Sequence, residues 1–170
     1  MASTYTVIAK NAYFDTNKSM IALFNTASSG KILRVYRVWV ANNQITAGTG
    51  IAIVLELRRI TAASSGTTLI PVSHDSTATS LGTVTAGTGM TVTTSDLFKR
   101  IPYSTDEPTF NTGSIDEIEQ FQQYPSLHYT GLNASAVEPI VCREGQGVSI
   151  QNITTTTVMS ADFFIEFTVT

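Results

Sequence analysis

Cysteine occurs once in this chain, at Cys142, and charged residues are scarce, at 14% of 170 residues. A lone cysteine excludes an intrachain disulfide framework, so the fold must hold by packing. Within the apolar run Pro139-Ile140-Val141-Cys142 it reads as a small buried hydrophobe. One Cys and two His cannot close a four-ligand structural zinc site, and no close-spaced His or Cys pair occurs. The low charge compares with roughly 25% in an average globular protein. Lys and Arg number ten and are scattered, apart from Lys31, Arg34 and Arg37 in one stretch and the pairs Arg58-Arg59 and Lys99-Arg100. With a net charge of −3 and a pI near 5.3, binding of nucleic acid through its phosphates has little support. No apolar run approaches the roughly 20 residues of a membrane span. The opening Met1-Ala2-Ser3-Thr4-Tyr5 lacks the basic and apolar regions of a secretory leader, so synthesis in a cytoplasm is expected, with no membrane partner.

What is present is hydroxyl and apolar surface. Hydrophobic residues make up 42%, enough for a core, and the length suits a single domain over residues 1–170. Ser and Thr account for about a quarter of the chain. Thr suits a pleated, half-exposed surface. Such a surface can be covered by neighbouring subunits without stripping water from many ions.

The periodicity is that of strands. Ile51, Ile53, Leu55 and Leu57 point one way, and Ala52, Val54, Glu56 and Arg58 the other. Near the C-terminus Phe163, Ile165, Phe167 and Val169 share a face opposite Phe164, Glu166 and Thr168. In the run 31–41, strict alternation sets Leu33, Val35, Arg37 and Trp39 against Ile32, Arg34, Tyr36, Val38 and Val40. Both faces are largely apolar, which predicts a strand that sits centrally or packs against a second surface. Further strands are predicted over 5–9, 20–25, 67–72, 90–93, 138–142 and 147–152. Turns fall at Ser28-Ser29-Gly30, at 46–50 and at 143–147, with glycines supplying positive φ where needed. The pentapeptide Thr-Ala-Gly-Thr-Gly recurs at 46–50 and 85–89; reused loop chemistry explains it better than an internal duplication. The polar stretch 73–89 reads as an insertion. One short helix is predicted in the long connection 103–127, with Ser114 as N-cap, Glu117 reaching back and Pro125 as the stop. The fold expected is all-β: an antiparallel β-sandwich, jelly-roll-like, of about eight strands with one short helix in a long loop.

No catalytic, cofactor-binding or metal-binding set emerges, and the chain is not expected to be an enzyme. His74-Asp75 are sequence neighbours, a poor arrangement for a base and its orienter. A Cys142–His128 nucleophile pair lacks any activating signal. Asp106, Glu107, Asp116, Glu117 and Glu119 concentrate acids without the spacing of a calcium loop. Glu56 and Glu166 could in principle form a glycosidase carboxylate pair if their strands faced each other. Phe110, Phe121, Tyr124 and Tyr129 fit either a satellite core under the long loop or a sugar- or protein-binding patch.

Gly30-Lys31-Ile32-Leu33-Arg34-Val35-Tyr36-Arg37-Val38, followed by Gly50-Ile51-Ala52-Ile53-Val54-Leu55-Glu56-Leu57-Arg58-Arg59-Ile60-Thr61, resembles virion proteins of tailed bacteriophages. So does Arg143-Glu144-Gly145-Gln146-Gly147-Val148-Ser149-Ile150-Gln151-Asn152 with its terminal strand over 163–169. The resemblance implies a jelly-roll structural protein of the virion, favouring a capsid decoration or cement protein. It would bind the major capsid protein or other virion subunits as a homo-oligomer, a trimer being favoured. The alternative it implies is a host- or carbohydrate-binding module of a phage tail, neck or fibre.

Overall fold

The computed structural model describes residues 3–16, 18–42, 52–78, 81–104, 126–129, 138–154 and 157–170. The strands are β1 Ser3–Phe14, β2 Ser19–Asn25, β3 Leu33–Asn42, β4 Ala52–Ser64, β5 Thr67–Leu69, β6 Val72–Ser73, β7 Val84–Thr88, β8 Thr91–Ser104, β9 Ser126–Tyr129, β10 Ile140–Cys142, β11 Gln146–Asn152 and β12 Thr157–Val169. They form two antiparallel sheets. The first runs β10-β3-β12-β1-β6, and the second runs β5-β7-β2-β11-β4-β8. Strand β9 joins the first sheet beside β10. Both pair with β3, β10 at Leu33 to Val35 and β9 at Arg37 to Trp39.

The sheets pack as a sandwich because alternation gives each one dry face. Ile53, Leu55 and Leu57 of β4 are fully buried, as are Phe163, Ile165 and Phe167 of β12. They meet Val7 and Phe14 of β1, Ile21 and Leu23 of β2, and Val148 and Ile150 of β11 in one core. Aromatic contacts run through it: Phe14 meets Phe163 edge-on at 5.9 Å, and Tyr5 stacks on Phe167 at 5.6 Å. All six additional predicted strand segments contain strand, and 67–72 splits into β5 and β6.

Strand β3 departs from strict alternation. Its pairing with β12 shifts between Glu166, opposite Arg37, and Phe167, opposite Val35. Tyr36 is the extra residue of a β-bulge, and a bulge reverses which parity faces the core. Leu33 and Val35 point inward, then Val38 and Val40 do. Trp39 therefore lies on the outer face, opposite Leu33 and Val35, not with them as expected. The strand is central, one of the two placements that its apolar faces predict.

Two other expectations change. The stretch 73–89 is not only an insertion, since β7 pairs β2 on one side and β5 on the other. Four residues of the second Thr-Ala-Gly-Thr-Gly copy, Thr85 to Thr88, belong to this strand rather than to a loop. Gly87 is used for closeness, because a Cβ there would stand 2.6 Å from the Met90 sulfur. Strand β8 also extends well beyond the predicted 90–93. In the turn before β11, Gly145 takes a φ of 71°, as expected of a turn glycine. The predicted helix at Ser114 to Pro125 and the 46–50 turn lie outside the described residues.

Candidate functional site

Among the described residues, the titratable groups singled out above do not come together in the pairs that the sequence suggests. His74 follows β6. Its backbone N–H donates to the Thr4 carbonyl at 2.9 Å, and its Nε2 lies 2.7 Å from Thr6 Oγ1. Asp75 turns elsewhere: its Oδ1 accepts from Thr77 N–H at 2.9 Å and from Thr77 Oγ1 at 2.7 Å. Those bonds favour the anion and hold the carboxyl below its ordinary pKa. The pair is thus no base-and-orienter couple. Cys142 pairs with Leu33 of β3 while His128 pairs with Val38, which separates their backbones by roughly 15 Å along the strand. Glu56 and Glu166 project from the outer faces of opposite sheets with the core between them, so they cannot flank one glycosidic bond. Glu56 is nonetheless buried, held by Arg58 Nε at 2.6 Å and near Arg100 Nε at 3.7 Å. Asp106, Glu107, Asp116, Glu117, Glu119, Phe110, Phe121 and Tyr124 lie outside the described residues. Tyr129 ends β9 in register with Arg37. Among the described residues, no group of three or more His, Cys, Asp or Glu could hold a metal ion.

Cys142 has no exposure, and burial pushes its thiol up to about 11 from 9.0, with nearby Arg59 pulling weakly the other way. Burial likewise pushes the Tyr103 phenol up to about 12 from 10.0. Both groups are therefore neutral when folded, and each ionises more readily when unfolded. Their contribution to stability is complete below pH 9. It is lost as pH rises, between 9 and about 11 for Cys142 and between 10 and about 12 for Tyr103. The urea midpoint is expected to hold between pH 7 and 9 and to fall steadily from 9 to 12. A thiol reagent at pH 8 is expected to leave the native protein unlabelled and to label the denatured chain fully.

Two surfaces have the makings of a site. The first is the outer face of the first sheet, where the pairings align two rows. One row is Ile8, Phe164 and Trp39; the other is Thr6, Glu166 and Arg37. Trp39 and Phe164 stack with ring centroids 4.7 Å apart and planes within 2° of parallel. Glu166 places Oε2 3.7 Å from Arg37 Nε and Oε1 3.9 Å from His74 Nε2. Sequence reasoning missed this face because it put Trp39 with the core-facing Leu33. The available signal was the Phe163-Phe164 doublet, which must send one ring outward. The second surface is a groove of about 380 Å³ at the sandwich edge, where the chain crosses from β5 in one sheet to β6 in the other. Tyr5, Leu69, Ile70, Pro71, Leu81 and Val84 line it. Ile70 is 84% exposed beside it, and Val72 is also exposed.

No protein-family model matches the chain, and no curated protein or solved structure is similar enough to be counted as a match.

Proposed function

We propose that this protein is a structural subunit of a virion that acts through protein–protein contacts, most specifically as a decoration protein stabilising a phage capsid. The observation that carries the reading is strand order. Eight strands lie as β10-β3-β12-β1 against β2-β11-β4-β8. That is the order produced when two Greek keys fold together into a jelly roll, an architecture used by viral capsid and lectin domains. Strands β5, β6 and β7 are then an insertion between β4 and β8 that wraps the open edge of the sandwich. Fold alone leaves function open. The hydroxyl-rich, charge-poor composition narrows it toward surfaces that other subunits cover.

The partners in this reading are the major capsid protein or another virion subunit, together with further copies of this chain, as a trimer by preference. Contacts across capsid seams would stabilise the assembled state over separated subunits. The inserted edge supplies an apolar contact in Ile70 and Val72 beside an open groove. Copy number in purified particles tests the proposal. Hundreds of copies per particle support capsid decoration, a handful points to tail or neck, and absence from particles removes the reading. Ile70→Asp is expected to leave folding stability within about 0.5 kcal/mol of wild type, because the side chain is solvated already. The same change is expected to abolish retention on particles, measured by sedimentation of reconstituted mixtures.

A further inference from the structure

We propose that the outer face of the first sheet binds a neutral saccharide, which stacks on Trp39 and bonds through its hydroxyls to Glu166, His74 and Thr6. The site adjoins the inserted edge, which contributes His74 and pairs Val72 with Thr6, but its ligand is a saccharide and not a protein subunit.

The two rows on this face stand two residues apart along their strands, about 7 Å. The aromatic row is preformed: Trp39 and Phe164 stack face to face, which covers one face of each and holds the Trp39 ring with its other face as the one left for a ligand, while Ile8 lies beyond Phe164 in register. An aromatic surface of this kind takes the C–H face of a sugar ring, and the indole N–H adds a donor at its rim. The polar row holds donors and acceptors side by side. Arg37 balances the charge of Glu166 at 3.7 Å and the His74 ring stands 3.9 Å from it, both separations exceeding hydrogen-bond length. A sugar hydroxyl donates and accepts at once, so it can give its proton to the Glu166 carboxylate while receiving one from a neighbouring nitrogen. Thr6 Oγ1 and His74 Nε2, 2.7 Å apart, continue the same alternation.

Charge decides the class of ligand. Glu166 sits between a guanidinium and an imidazole, so this row presents no uncompensated anion or cation. An anionic ligand would meet the carboxylate, and a cationic one would compete with Arg37 for it. A neutral polyhydroxyl ligand pays neither penalty. A few placed polar groups beside an apolar platform are the usual composition of a small-ligand site.

Trp39 is the only tryptophan, so its emission reports this face alone. The full-length protein is titrated with linear oligosaccharides of glucose, galactose and N-acetylglucosamine, and in parallel with sulfated oligosaccharides. A saturable change in Trp39 emission is expected with at least one neutral series. Glu166→Gln and Thr6→Val are expected to weaken that binding at least tenfold with an unchanged circular-dichroism spectrum. Because Glu166→Gln preserves shape, it separates loss of the site from loss of the fold. The proposal is overturned by no saturable response to any neutral series, by a response to sulfated probes alone, or by undiminished binding in both variants. It is also overturned if particle proteins bury Trp39 and oligosaccharides do not compete.

Discussion

Gly147→Ala is expected to destabilise the protein by about 3 kcal/mol or more, although it adds a single methyl group. Gly147 lies in β11, which pairs β2 at Phe24 on one side and β4 at Ile60 on the other. A Cβ at this position would fall on the Leu23 carbonyl oxygen and stand 2.9 Å from Phe24 Cα. These are backbone atoms, so no rotamer change relieves the clash. Strand β2 cannot retreat either, because β7 pairs its other edge. The requirement is for space and not for an unusual backbone angle, and a nearby glycine provides the contrast. Gly145 has a φ of 71° with open space where a Cβ would go. Gly145→Ala is therefore expected to cost only the left-handed penalty, about 1–2 kcal/mol. Urea denaturation of both variants measures the difference. A Gly147→Ala protein as stable as wild type would mean that β2 and β11 are not neighbours in this register.

Alternation within a strand is a local property, and it was readable wherever the strand stays regular. Leu55, Phe163 and Phe167 lie in the core as their spacing predicts. A bulge is not local, because it exists only relative to the partner strand. Nothing in the run 31–41 marks Tyr36 as the extra residue, so strict alternation puts Trp39 on the wrong face. Strand β7 is hard to read from sequence for a related reason. Val84, Thr85, Ala86, Gly87 and Thr88 carry little contrast between faces, and the strand is defined by β2 and β5 beside it. The candidate face is less legible still. Thr6 and His74 are 68 residues apart, and the row that joins Thr6, Glu166 and Arg37 exists only once three strands have paired. Glu56 shows the limit from another side. Its parity predicts an outward side chain, which it has, but not that Arg58 and Arg100 would accompany it in a buried position.

The adjacent pair Phe163 and Phe164 offers the sharpest test of the sandwich, because the same chemical change at neighbouring positions is expected to have unequal effects. Phe163 is fully buried between the sheets and meets Phe14 edge-on. Phe163→Ala removes a ring from a space that two hydrogen-bonded sheets keep open, so the surroundings cannot collapse to fill it. The expected loss is about 3–5 kcal/mol. Phe164 projects from the outer face, where its main partner is the stacked ring of Trp39. Phe164→Ala forfeits that stack and a partly solvated surface, about 1 kcal/mol. It should also shift Trp39 emission, which Phe163→Ala in its folded state should leave nearer to wild type. Chemical denaturation of both variants, followed by circular dichroism and by fluorescence, separates the two effects. Equal losses would mean that β12 does not divide its side chains between a dry face and a wet one, and the sandwich would then lack its central strand.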